Sequence, residues 1–313
     1  MMKILFISSG NNTTNTGISP IIESQGQSLI KLGIDIQYFT IKGKGAKGYL
    51  KNRKRLKHQV KEGSYDIIHA HYSLSGFLAS LTFTKTPIVV SLMGSDIQMN
   101  KFWRLIIKIN LKFFWSRIIV KSEKMKNHLA LDKKVDVIPN GVNLDVFYPI
   151  EASVARNKLN WDHSRKYILF AANPNRYEKN FTLFQKAFTT LNTENIEFKV
   201  LQNVNHKDIP LMMNASDVIA LSSKWEGSPN VIKEALACNR PIVSTDVGDV
   251  SWLLDSCKGC FISDSDYSDY AQKLSNALSF KNSHGRERIK DLNLDDKDIA
   301  KKLIKIYKEL KQE

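Results

Sequence analysis

Short β-branched runs alternate with longer amphipathic stretches along almost the whole chain. KILFIS (3–8), IDIQYFTI (34–41), YDIIHA (65–70), PIVVSL (87–92), RIIVK (117–121) and VDVI (135–138) read as strands. PIIESQGQSLIKLG (20–33) and LKNRKRLKHQVKEG (50–63) read as helices between them. A sheet with one wet face would alternate apolar and polar residues. These near-continuous apolar runs instead suit parallel strands covered on both faces. Strand–helix alternation therefore predicts an α/β, doubly wound fold. The pattern restarts after Pro149 with KYILFAA (166–172), IEFKVL (196–201), DVIAL (217–221), PIVST (241–245) and GCFI (259–262). A length of 313 residues suits two domains. We expect two Rossmann-like doubly wound domains facing a cleft, over residues 1–150 and 151–297. An amphipathic helix over 298–313 is expected to pack back on the first domain. Ligands of open α/β sheets sit beyond the carboxyl ends of the strands, so functional residues are sought in the loops that follow strands.

Charge is unevenly spread. Residues 1–150 carry 22 Lys/Arg against 9 Asp/Glu, and the remainder 24 against 22. The first half is thus built to meet something anionic: a membrane surface, a phosphorylated ligand or nucleic acid. No nucleic-acid recognition motif accompanies the charge, and that partner is set aside. KFWRLIIKINLKFFWSR (101–117) mixes Lys and Arg with aromatics, which suits either an interfacial helix or a core helix with a solvated basic face. Three cysteines exclude a disulfide scaffold and suit a reducing compartment. The N-terminal stretch lacks the greasy core of a signal peptide, and no apolar run reaches spanning length. A cytoplasmic protein is expected, peripheral on the inner face of the membrane.

KWEGSPNVIKEALACNRPIVS (224–244) sets one glutamate, Glu226, before a helix start and another, Glu234, within the helix. Free N–H groups and the helix dipole at such a start bind anions such as phosphate. A carboxylate off the dipole axis can accept hydrogen bonds from sugar hydroxyls. Spacing alone leaves a plain cap and a solvated helix position equally open.

The surrounding residues resemble the E-x7-E segment of the retaining family-4 glycosyltransferases, which have the two-domain GT-B fold. IPNGVNLDVFYP (138–149), NPNRYEKNFTLFQKAF (173–188), GISPIIESQGQSLIKLG (17–33), YDIIHAHYSLSG (65–76) and MGSD (93–96) also match that family, so the resemblance covers essentially the whole chain. It implies a donor site for a nucleoside-diphosphate sugar in the second half. Arg176 and Lys179 would neutralise the donor diphosphate, whose charge grows as the glycosidic bond breaks. Glu226 would contact the sugar and Glu234 the ribose. Ser228, Pro229, Asn230 and Val231 would line the helix start, and Asn203 and Val204 would lie near the base. Gly17, Ser19, His71 and Asp96 would face a saccharide acceptor, lipid-linked by the habit of the family. No metal or other cofactor is expected.

The chain departs from the pattern in places. Met93 stands where many relatives have His, and Met cannot donate to a sugar hydroxyl. Asp249, Ser251 and Trp252 replace a Gly/Pro-Glu run, and Asn15, Thr16 or Ser19 can tune the acceptor loop. Other signals have plainer readings. Asp264-x-Asp266 suits a helix cap rather than a metal site, and Cys257-x-x-Cys260 lacks the second pair that zinc needs. His69 and His71 share one face of a strand. Surface-polysaccharide glycosyl transfer is the expected function. A nucleotide-sugar epimerase of the same fold and a non-catalytic binder of anionic lipid or polysaccharide remain open.

Overall fold

The computed structural model describes residues 1–10, 17–43, 45–97, 101–131, 133–191 and 194–312. Contacts divide the chain into two compact units, Met1–Asn140 with Asp296–Glu313, and Gly141–Asp295.

The first unit runs β1 (Lys3–Ser9), α1 (Pro20–Lys31), β2 (Asp35–Ile41), α2 (Gly45–Leu50), α3 (Arg53–Gly63), β3 (Ile67–His71), α4 (Ser73–Ser80), β4 (Ile88–Ser91), α5 (Gly94–Ile97), α6 (Lys101–Phe113), β5 (Arg117–Val120), α7 (Glu123–Leu129) and β6 (Val135–Val137). The second runs α8 (Ala152–Leu159), β7 (Lys166–Phe170), α9 (Phe181–Thr190), β8 (Ile196–Val200), α10 (Ile209–Ala215), β9 (Val218–Leu221), α11 (Asn230–Ala237), β10 (Ile242–Thr245), α12 (Val250–Leu254), β11 (Cys260–Ser263), α13 (Tyr267–Ala277) and α14 (Gly285–Asp291). The terminal α15 (Asp296–Gln312) returns to the first unit. Short 3-10 turns cover Tyr177–Lys179 and His206–Asp208.

Each apolar run forms a strand within a residue or two of its expected bounds, and every pairing between strands is parallel. The strand order is β2-β1-β3-β4-β5-β6 in one sheet and β11-β10-β9-β7-β8 in the other. Connectivity reverses between β1 and β3, and again between β7 and β9. Such switch points open a crevice at the strand ends.

Where the sequence suggested a boundary at 150, the contacts divide the chain at Asn140–Gly141. Residues 141–150 are tied into the second unit. Val142 bridges Asp295, Arg286 donates to the carbonyls of Leu144 (2.9 Å) and Phe147 (2.7 Å), and Ile150 N–H donates to Asn214. Helix α15 packs against α1 through a stripe of Ile299, Ala300, Leu303, Ile306, Tyr307 and Leu310. Burying each large member of that stripe stabilises by about 1.5–3 kcal/mol. Lys311 and Glu309 add ion pairs with Asp66 and Arg117 at its far end.

The first core stacks α4 and Trp115 on the sheet. A Cβ on Gly76 would stand 2.8 Å from the Trp115 ring and 2.9 Å from Val90. The Trp115 indole N–H, in turn, donates to Ser80 Oγ at 2.9 Å and to the Gly76 carbonyl. Gly76→Ala is expected to lower the unfolding free energy by about 1–3 kcal/mol through overpacking. Urea titration checks this, and an unchanged midpoint would mean that α4 shifts freely on β4.

Candidate active site

The switch point of the second sheet brings together the two loops that the sequence singled out. The loop after β7 holds Arg176 and Lys179, and the loop after β9 holds Glu226 and Ser228. Several bonds tie them. Ser222 Oγ donates to the carbonyls of Lys179 and Asn180, both at 3.0 Å, and Lys224 N–H donates to the Glu178 carbonyl at 2.8 Å. The Lys224 ammonium lies over the Tyr177 ring.

Within this frame Lys179 Nζ pairs with Glu226 Oε1, and Ser223 Oγ donates to the same oxygen at 2.8 Å. Both charged side chains are mostly buried, 12% and 17% exposed. Desolvating either alone is costly, so the pair holds the two charges in place beside the helix start. Arg176 is different. Its side chain is 60% exposed and pairs with Glu178, so it reaches outward from the turn.

Helix α11 begins at Asn230, with Pro229 as the residue that caps it and no side chain capping its first amides. Of those amides Ile232 N–H donates to the Pro229 carbonyl at 3.2 Å, and the two ahead of it lie at the positive end of the dipole. Asn230 Oδ1 is buried without a hydrogen bond. Glu234 lies half-buried one turn further along the helix. Gly248, with φ +60°, closes against this loop: a Cβ there would stand 2.7 Å from the Gly227 carbonyl. Asn203 and Val204 follow β8, one strand along, with Asn203 exposed and left-handed at φ +55°.

Sequence reasoning missed Lys233. In the run NVIKEALA it reads as a solvated helix position, yet its side chain is fully buried. Helical side chains lean toward the N-terminus, and Lys233 Nζ reaches back to donate to Ser228 Oγ at 3.0 Å. An ammonium can only donate, so the Ser228 proton points away from Lys233.

The residues expected on the acceptor side lie in the first unit. Gly17 has φ +71°, and a Cβ there would stand 2.8 Å from the Gly10 carbonyl. Asn15 and Thr16 lie outside the described residues. Ser19 precedes α1 and makes no capping bond through its side chain. Asp96 departs from its expected role. It is fully buried, and its carboxylate accepts from the backbone N–H groups of Ser73 (3.1 Å) and Met93 (2.6 Å). It therefore clamps the loops after β3 and β4 instead of presenting an open carboxylate. Burial pushes its carboxyl up to about 6.

His69 and His71 are both buried and stack at 4.4 Å. His69 Nδ1 meets the Tyr307 hydroxyl at 2.5 Å and its Nε2 meets Ser91 Oγ at 2.8 Å. His71 Nε2 has no partner. Burial, and then the nearby Lys121 charge, push His71 down to about 3, and burial also holds His69 well below its usual range. Asp266 caps α13 by accepting from Ser268 and Asp269 N–H. Among the described residues no three His, Cys, Asp or Glu side chains gather as metal ligands.

Comparison with known proteins identifies the arrangement. A Glycosyltransferase Family 4 profile matches residues 23–146, and a Glycosyl transferases group 1 profile matches residues 185–279. The chain belongs to the family 4 glycosyltransferases. An uncharacterised glycosyltransferase of Methanocaldococcus jannaschii is 25% identical to this enzyme over 305 residues, 84% of this chain and 81% of its own. A UDP-Gal:alpha-D-GlcNAc-diphosphoundecaprenol alpha-1,3-galactosyltransferase of Escherichia coli is 25% identical over 232 residues, 60% of this chain and 59% of its own. Among solved structures, sucrose-phosphate synthase from Thermosynechococcus elongatus matches with a TM-score of 0.86 over 99% of both chains, at 16% identity. The fold of this glycosyltransferase is GT-B, with two parallel-sheet α/β domains.

Two measurements follow from the geometry. Glu226→Ala leaves Lys179 mostly buried and unpaired and is expected to cost about 1–3 kcal/mol in urea unfolding. Adding Lys179→Ala to it is expected to cost less than the sum of the two single changes. Strict additivity would show that the two side chains do not interact.

The second measurement concerns pH. Both imidazoles are neutral in the fold, whereas the unfolded chain protonates them below about pH 6.5. Acidification therefore removes stability from that point down to their depressed folded values. Asp96 acts in the opposite sense. Its raised carboxyl binds a proton earlier in the fold, which adds stability as pH falls from about 6 toward its unfolded value near 3.8. Urea midpoints are expected to drop from about pH 7 to about pH 5. His71→Phe should flatten that slope by up to about 1.4 kcal/mol per pH unit. An identical slope in the variant would mean that His71 titrates alike in both states.

Proposed function

We propose that this glycosyltransferase moves a sugar from a nucleoside-diphosphate donor, UDP-linked in the first instance, to a lipid-linked saccharide acceptor with retention of anomeric configuration. The observation that carries the donor half is the meeting of Lys179, Glu226 and the uncapped start of α11 at the switch point of the second sheet. Lys179, Arg176 and the α11 amides take up the charge of the diphosphate. The Ser228 proton, directed away from Lys233, adds a hydrogen bond to a phosphate oxygen. Glu226, held by Ser223 and released in part from Lys179 when phosphate arrives, accepts from a sugar hydroxyl. Glu234 serves the ribose, and Asn203 with Val204 serves the base.

The donor C1–O bond to the diphosphate breaks as the acceptor oxygen bonds to C1 on the same face. The acceptor proton passes to the leaving phosphate oxygen, so no enzyme carboxylate becomes glycosylated. Retention rests on the family likeness. The activity of the Escherichia coli relative supports a UDP-sugar donor and a diphospholipid-linked acceptor, and hence a step in building a surface polysaccharide at the inner face of the membrane. In the first unit His71, Ser19 and Gly17 face the acceptor, with Asp96 holding the loops after β3 and β4.

A thermal-shift series with nucleotides and nucleotide sugars, with and without divalent metal, tests the donor site. A ligand at about 100 times its Kd stabilises the fold by about 2.7 kcal/mol. Uridine nucleotides are expected to shift the transition, and Lys179→Ala to abolish the shift and lower turnover at least about a hundredfold. A well-folded protein that responds to no nucleotide would sink the donor assignment. Donor alone yielding an epimer would transfer the reading to an epimerase.

A further inference from the structure

The sequence of helix α6 suits either an interfacial helix or a core helix with a solvated basic face, and the folded helix carries three faces. Ile107 and Leu111 are buried, and Trp103 stacks on Phe77, which stacks on Trp115. A second apolar face points outward: Phe102 is 64% exposed, Leu105 55%, Ile109 44% and Phe113 66%. Their spacing (i, i+3, i+7, i+11) lays them in one stripe along the helix. Lys101, Arg104, Lys108 and Lys112 follow the same spacing one residue earlier, so a basic row runs beside the stripe. The helix contains no acidic residue.

The stripe continues past the end of the helix. Phe114 is 42% exposed and meets Phe83 edge to face at 6.3 Å. Phe83 is 65% exposed and holds φ +54° in the turn after α4. A bulky residue with left-handed backbone and a solvent-facing ring is conformationally costly and gains nothing from water. Lys85 lies two residues on.

We propose that this surface, the outer stripe of α6 with Phe83 and Phe114, is where the enzyme seats on an anionic lipid bilayer. Four aromatic rings with Leu105 and Ile109 enter the boundary between headgroups and acyl chains. The basic row stays at headgroup level, its alkyl stems along the apolar stripe and its charges on lipid phosphates. Charge selects this occupant, because a row of a single sign without acidic members matches an anionic surface. The α6 surface deepens the reading of a lipid-linked acceptor. Vesicle binding is nevertheless measured without donor or acceptor, so the two readings fail separately.

Flotation of the full chain tests the proposal, with vesicles of phosphatidylcholine alone and of phosphatidylcholine with phosphatidylglycerol. The protein is expected to float with the anionic vesicles only, and less so at high salt. Phe102→Ser with Phe113→Ser, and separately Lys108→Glu with Lys112→Glu, should each lower partitioning at least about tenfold. Phe102, Phe113 and Lys112 are exposed and Lys108 is half-buried, so both pairs should leave the unfolding transition and the nucleotide response unchanged. Three results would overturn the proposal. These are no flotation with anionic vesicles, flotation weakened by the charge pair but not by the aromatic pair, or a stable dimer in solution whose interface shields α6.

Discussion

Each strand in both sheets runs parallel to its neighbours, and the rest of the molecule depends on that constraint. Parallel strands place every carboxyl end, and the loop leaving it, on one edge of the sheet. The crossovers between them cover both faces, which is why strands such as KILFIS and DVIAL need no polar alternation. The chain then chooses where connectivity reverses. In the second sheet the reversal falls between β7 and β9. The loops there are far apart in sequence yet are joined by the Ser222 bonds and by the Lys179–Glu226 pair. One order of strands thus puts a cation, a carboxylate and an uncapped helix start within reach of a single ligand.

The same logic shapes the first unit, with different chemistry. Its reversal falls between β1 and β3, and the ends of β3 and β4 carry His69, His71 and Ser91. Buried polar groups need partners, and here the far end of the chain supplies one: Tyr307, from α15, meets His69. The terminal helix is therefore more than an apolar cover. It fixes the ring of His69, against which His71 stacks. His71 keeps one ring nitrogen without a partner, and its neutrality in the fold preserves the capacity to accept or donate a single hydrogen bond.

Much of this was legible in the sequence, because the relevant signals are local. Hydrophobic period and length identify a strand within itself, and the eleven strands among the described residues lie where the apolar runs put them. Asp266 lies just ahead of a helical run, and its capping role was equally readable. What was not legible depends on partners distant in the chain. Lys233 has the composition of a surface position, and only the packing of α11 encloses it against Ser228. Asp96 was read from its motif as open to a ligand. Its two acceptor oxygens instead answer backbone amides from two different loops, an arrangement that no spacing reveals. The restart of the strand pattern after Pro149 suggests a boundary there, while Arg286, more than a hundred residues later, binds the linker after Asn140 to the second unit.

Helix α6 shows why periodicity alone cannot separate a core helix from an interfacial one. A helical wheel with apolar residues on two sides and basic residues between them gives one strong amphipathic signal, and the sequence left both readings open. The fold separates the two sides, because the stacked rings of Trp103, Phe77 and Trp115 anchor the inner one and leave Phe102, Leu105, Ile109 and Phe113 without cover. Burial of the inner face is already complete without the outer aromatics, so folding of this unit does not account for them. Water does not stabilise exposed rings, and a left-handed Phe83 adds conformational cost beside them. A surface of that composition, in the half of the chain that holds nearly all the excess positive charge, matches the bilayer seat proposed for it.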